Sequence, residues 1–218
     1  MKELILKIIS IVVIIIVLLG FGDKKGNCME LTEKHYNAAG EIVDLIANKF
    51  GANRAIHPGT AISACARLSG SMLFRSFELK VDKVDQGNVV LSEDANEKGP
   101  ILINILGWMI ENTGNRIDKE KLDESKKEDS KIDFLKTLEL TQEATIKIMR
   151  KYDFSYEDIS YSCAMATAFI VTECKNELPI ESGFNTAVYG FIEGTKTMPP
   201  RLASEKPKKK KRFNFGKK

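Results

Sequence analysis

AIHPGTAISACARLSGSMLFRSF, residues 55–77, is the stretch on which the fold turns. Pro58 biases His57 toward an extended conformation, and Thr60 is placed to cap a helix running to about Phe77. Within that helix Ala61, Ala64, Cys65, Ser69 and Ser71 recur beside Leu68 and Met72. Small side chains permit near backbone approach, so the segment reads as a central core helix. SCAMATAFI, residues 162–170, carries the same small-residue pattern as ACARLSGSM, residues 64–72, and predicts a second, matched core helix.

Outward from this pair the chain reads as further helices. Leu31, Ala38, Ile42, Leu45 and Ile46 fall at helical intervals between Leu31 and Phe50, and Gly51 supplies a stop. Ser92 caps a start at Glu93-Asp94, whose carboxylates complement the helix dipole. Gly99-Pro100 is expected to interrupt that helix before ILINILGWMI, residues 101–110, an apolar run expected to be buried and ended by Gly114. Asp133 to Tyr152 is amphipathic, and Ser155 with Asp158 forms a capping-box signature for a long helix to about Lys175. Ser182-Gly183 predicts a last short helix, and Pro199-Pro200 the end of order. Between Phe77 and Leu91 the period changes to alternation around Gln86-Gly87-Asn88, which allows a small β-hairpin. Residues 116–133 hold thirteen charged side chains, six positive and seven negative, the composition of a solvated loop or exposed helix.

The amino terminus is of a different kind. LILKIISIVVIIIVLLGFG, residues 4–22, is nineteen residues interrupted only by Lys7 and Ser10. As a helix it reaches about 28 Å, close to a hydrocarbon core, and Lys7 can snorkel to the interface. The expectation is a transmembrane anchor, with a cleaved signal peptide as its rival because Lys2 is basic and Gly20 and Gly22 are small. The stretch VVIIIVLLGFGDKK, residues 12–25, resembles the membrane helix and following hinge of the twin-arginine translocase A subunit, from which Lys2 and Lys7 depart. That resemblance implies a cytoplasmic soluble part.

The expected fold class is therefore mainly α: a single N-terminal transmembrane helix, a compact domain of five to six helices with room for a small hairpin, and a disordered basic tail. The expected division is an anchor at 1–22, a linker at 23–30, a helical domain at 31–200 and a polybasic tail at 201–218. A hydrophobic content of 43% and a charged content of 29% suit one folded domain. The net charge of +3 conceals an asymmetry, since residues 205–218 carry +7 and leave −4 for the rest.

KPKKKKRFNFGKK, residues 206–218, interleaves two phenylalanines with eight cations. It resembles the basic effector segment of the myristoylated alanine-rich C-kinase substrate, which implies binding to acidic lipid through Lys208, Lys209, Lys210, Lys211, Arg212, Phe213 and Phe215. Asn214 stands where that family has a phosphorylatable serine, so no phosphorylation switch carries over. PKKKKR also suits nuclear import or nucleic-acid phosphates, both disfavoured by an N-terminal membrane anchor.

Only two histidines occur, His35 and His57, so histidine-rich metal centres are excluded. His57 lies beside a helix start that offers free donors and a positive dipole end, which makes His57, Thr60 and Arg67 the candidate anion site, with Arg54 and Arg75 near in sequence. The competing reading is a turn histidine and solvent-facing arginines. Cys28, Cys65, Cys163 and Cys174 match no zinc spacing, and Cys65 and Cys163 read as core thiols rather than as nucleophiles paired with His57. Phosphate-loop, GxSxG, HExxH and EF-hand signatures do not occur. No metal or cofactor is implied. The preferred functional reading is a membrane-tethered, non-enzymatic interaction or scaffold domain facing the cytoplasm, with the bilayer (residues 4–22) and anionic lipid head groups (the tail) as partners. The alternatives are a membrane-bound or exported enzyme with its site near His57, and nucleic-acid binding through the tail.

Overall fold

The computed structural model describes residues 31–51, 56–81 and 83–203. Seven helices occur among the described residues: α1 (Glu33–Phe50), α2 (Pro58–Arg75), α3 (Glu93–Asn112), α4 (Lys119–Glu124), α5 (Phe134–Tyr152), α6 (Tyr156–Glu173) and α7 (Ile180–Lys196). Six correspond to helices legible in the sequence; the seventh, α4, is a single short piece within the charged stretch.

The two small-residue helices form the centre. Fifteen of the eighteen residues of α2 and thirteen of the eighteen of α6 are buried, which is the signature of a helix covered on all sides. Helix α2 packs most extensively on α7 and next on α6, while α6 also packs on α1 and α3. Several buried hydroxyls and one thiol in this pair turn to backbone carbonyls. Ser69 donates to the Ser160 carbonyl at 2.8 Å, and the Cys65 thiol to that of Cys163 at 3.4 Å. On α5 the buried Thr137, Thr141 and Thr145 each donate to the carbonyl four residues back, at 2.7, 2.8 and 3.1 Å. These bonds remove the cost of burying unsatisfied polar groups.

The α2–α7 contact is a close one. A Cβ at Gly70 would stand 2.5 Å from the Phe191 carbonyl oxygen and 2.8 Å from the Gly194 Cα; one at Gly194 would stand 2.5 Å from the Arg67 carbonyl oxygen. Backbone therefore lies directly on backbone. This explains why the last helix is longer than the sequence suggests: Gly183, Gly190 and Gly194 weaken the helical signal but are contact residues inside seventeen residues of helix.

Several sequence expectations need correction. No helix among the described residues is long and apolar enough to cross a membrane, so the expected fold with a single transmembrane helix, and the single-pass membrane character with it, is not what these helices form. The physical reason is that their apolar surface is spent on one another: ILINILGWMI, for example, buries Leu102, Ile105, Leu106, Met109 and Ile110 against the core. Residues 4–22, on which that expectation rested, lie outside the described residues, as does the linker at 23–30.

The β-hairpin also fails to form. Among the described residues there is no strand; Val89 instead makes an isolated antiparallel bridge with Thr197. Val90 N–H donates to the Lys196 carbonyl at 2.7 Å and Met198 N–H to the Asn88 carbonyl at 2.9 Å. Phe77 is drawn into the core, and Leu79 and Val81 pack partly buried against it, so the first half of the alternating segment is unavailable to pair with the second. Pro100, expected to interrupt α3, lies within it. Pro100 and Asn96, whose carbonyl loses its partner, are both exposed, so water can replace the missing bond. Order also continues past Pro199-Pro200, because Leu202 is buried.

The glycine crossing makes a paired prediction. Gly194→Val drives a side chain into the α2 backbone and should destabilise by about 3 kcal/mol or more, the upper end of overpacking costs. Gly40→Ala on α1 meets nothing within 4 Å and should be neutral or stabilise by up to about 1 kcal/mol. Urea unfolding followed by circular dichroism measures both.

Candidate functional site

Helix α2 begins with Pro58 at its first position and with His57, not Thr60, as its N-cap; the His57 Nδ1 accepts from the Thr60 N–H at 3.4 Å. Proline there loses no helical hydrogen bond, and an extended His57 is what a residue before proline favours. The free helix end that the sequence advertised is covered. Residues 118–132 form a strap that crosses it, and Glu128 sits so close that a Cβ on Gly59 would lie 2.3 Å from its Cγ. The Glu128 Oε1 stands 3.5 Å from the His57 Nε2. A carboxylate of the chain itself thus occupies the place where an external anion was expected.

Thr60 and Arg67 also hold the strap. The Thr60 hydroxyl oxygen accepts from the Lys131 N–H at 3.1 Å. Arg67 donates through Nε to Glu193 Oε2 and through Nη1 to the Ile132 carbonyl, both at 2.6 Å. His57 and Thr60 share one helical turn, whereas Arg67 is seven residues beyond Thr60, about 10.5 Å along the axis. The three therefore line a track rather than converge on one ligand. Arg75 is further along, donating to Gln142 Oε1 at 3.0 Å and to the Pro200 carbonyl. Arg54 and the tail residues from Lys208 to Phe215 lie outside the described residues.

Helix α7 supplies the other side of the track, which sequence reading missed. Glu181 Oε1 accepts from the Asp118 N–H at 3.1 Å. The Asn185 amide donates to the carbonyls of Leu122 and Ser125 at 2.9 and 2.8 Å. The Thr186 hydroxyl oxygen accepts from the Glu128 N–H at 2.7 Å while donating to the Ser182 carbonyl. The charged stretch is solvated by its side chains, as its composition implies, but its backbone is fastened. The available signal was its length, since a connection of this size without apolar periodicity is rarely left unattached.

Cys65 and Cys163 are core thiols. Cys65 and Cys163 are fully buried, and burial pushes the Cys65 thiol up to about 12 and that of Cys163 well above its ordinary value. Among the described residues no group of three or more histidine, cysteine or carboxylate side chains is placed to hold a metal ion.

A second polar cluster joins two helix starts. At α1 the Thr32 N–H donates to His35 Nδ1 at 3.1 Å, with the Thr32 hydroxyl 2.9 Å from the same nitrogen. At α6 the Asp158 Oδ2 accepts from the Ser155 N–H and hydroxyl at 2.9 and 2.6 Å, and the Ser155 hydroxyl oxygen accepts from the Asp158 N–H. The two caps meet where His35 Nε2 lies 3.8 Å from Asp158 Oδ1, with the imidazole stacked on Phe154 at 4.6 Å. Burial lowers the His35 pKa and outweighs the opposing pull of Asp158. Burial raises the Asp158 pKa, but the Ser155 bonds and His35 outweigh it and leave the carboxyl below its ordinary value.

No protein-family model matches the chain, and comparison with curated proteins and with solved structures returns no match.

The cap pair gives a pH prediction. Because the folded value of His35 lies below the ordinary 6.5, the fold favours the neutral ring; its contribution is present above pH 6.5 and is lost as the pH falls through 6.5 toward the folded value. Asp158 acts in the same direction only below its ordinary 3.8. The melting temperature should therefore fall between pH 7.5 and pH 5, and His35→Gln, which keeps a capping-box residue without the titration, should flatten that fall.

Proposed function

We infer that the chain is a non-enzymatic helical interaction domain whose basic tail holds it against anionic lipid head groups. One observation carries the first half: His57, Thr60 and Arg67, the side chains best suited to grip a substrate anion, all have partners within the chain, and two of them grip a peptide backbone. Their chemistry is that of polypeptide recognition. The second half is supported by the tail's eight cations and two phenylalanines, because each basic residue near an anionic leaflet contributes about 1 kcal/mol and inserted aromatic rings add apolar burial. The remainder of the chain, at −4, would by itself be repelled from such a surface.

The test uses the full chain in every arm, so that any contribution of residues 1–30 is common to all. Binding to vesicles with acidic head groups at low salt should exceed binding to neutral vesicles and should weaken as salt shortens the screening length. Replacing Lys208 to Arg212 by alanine should weaken acidic-vesicle binding by at least about tenfold and leave neutral-vesicle binding unchanged. Equal binding of the two proteins to acidic vesicles would remove the lipid role of the tail.

A further inference from the structure

The connection between α3 and α5 is held in an unusual way. Six hydrogen bonds fasten residues 118–132 to the body of the domain, and in each the strap contributes a backbone group while α2 or α7 contributes a side chain. Asp118, Glu128 and Lys131 donate their N–H groups to Glu181, Thr186 and Thr60, and the Leu122, Ser125 and Ile132 carbonyls accept from Asn185 and Arg67. No side chain from 118 to 132 is buried, and α4 contributes none to the core.

We propose that the track between α2 and α7 is a peptide-binding groove that reads backbone, is occupied in this chain by its own residues 118–132, and accepts in their place a partner-protein segment of the same shape, one short helical turn followed by irregular chain. The occupant shows what fits. Because the fixed contacts are to backbone, the groove tolerates varied side chains, as recognition through main-chain hydrogen bonds does generally. Two side-chain preferences are added: an acidic residue at the Glu128 position, facing His57 at 3.5 Å and the start of α2, and a basic residue before it, where Lys127 lies 5.6 Å from the Tyr189 ring centre. The supporting groups are held in place beforehand. Thr186 is bonded to the Ser182 carbonyl and Arg67 to Glu193, so both stay oriented when the strap leaves. The strap contributes no buried side chain, so its departure takes none out of the core. This inference deepens the interaction-domain reading and rests on it for its biological sense. Lipid and peptide binding are read in separate assays, so either can fail without the other.

The experiment replaces residues 119–131 in the full chain by a glycine-serine linker of equal length and measures binding of a fluorescent synthetic peptide spanning residues 116–133. Saturable binding is expected to the linker protein, at least tenfold tighter than to the parent, whose groove is filled. A peptide with proline at the positions of Glu128 and Lys131 lacks the donors to Thr186 and Thr60 and should bind at least tenfold more weakly. No binding to a folded linker protein, or equal binding of the proline peptide, would each overturn the proposal. If the linker protein does not fold, native-state hydrogen exchange on the parent decides: the Glu128 and Lys131 amides should exchange at least a hundredfold faster than amides in the middle of α2. Exchange of both only with global unfolding would show that the strap does not leave, and would overturn the proposal equally.

Discussion

The structure depends on two helix backbones lying against one another. At the α2–α7 crossing the neighbours of Gly70 and Gly194 are carbonyl oxygens and Cα atoms, which cannot move aside as a flexible side chain can. Such a contact has little tolerance in distance or rotation, so it sets where each later side chain of α7 points. Glu181, Asn185 and Thr186 come to face the strap because the crossing further along the same helix fixes its rotation. The candidate site is in this sense a consequence of two glycines whose own neighbours are α2 and α7 backbone and not the strap.

A core made this way is unusual in its chemistry. Alanine, serine, threonine and cysteine bury less apolar surface per residue than leucine or phenylalanine, and the deficit is offset by closeness of packing and by hydroxyls that bond to carbonyls of their own or a neighbouring helix. The bonds of Ser69 to the Ser160 carbonyl and of Cys65 to that of Cys163 link α2 to α6 at particular registers. Large apolar side chains such as Leu102, Leu106 and Phe191, all fully buried, fill the space between the helices. The linked caps of α1 and α6 add a further restraint at the helix starts, sensitive to proton concentration through His35.

The strap brings together properties that composition alone assigns to different classes of segment. Its side chains behave as a solvated polyampholyte should, with ion pairs such as Lys121–Asp118 and Lys127–Asp129 formed along it. Such exposed pairs contribute little to stability. Its backbone is as specifically placed as that of a regular element, because the five side chains that hold it come from helices that are themselves rigid. A segment without buried side chains but with fixed main-chain partners is positioned by recognition rather than by hydrophobic burial.

Helix content was determined by local sequence. Capping residues at Ser92 and Ser155, the stop at Gly114 and the paired small-residue stretches were legible because capping and periodicity are interactions over three or four residues. The two central helices were legible for the same reason. What only the tertiary structure decided involves residues far apart in the chain. Glycines in α7 read as weak helix formers until α2 is placed against them, and Val89 pairs with Thr197 rather than within a hairpin because Phe77, Leu79 and Val81 are drawn toward the core. The sequence puts Thr60 and Arg67 on one helix with His57 beside its start, and α2 has them so, with a negative charge facing His57. That the charge there is Glu128 of the same chain depends on the path of a loop some seventy residues away, and no local pattern around His57 encodes that path.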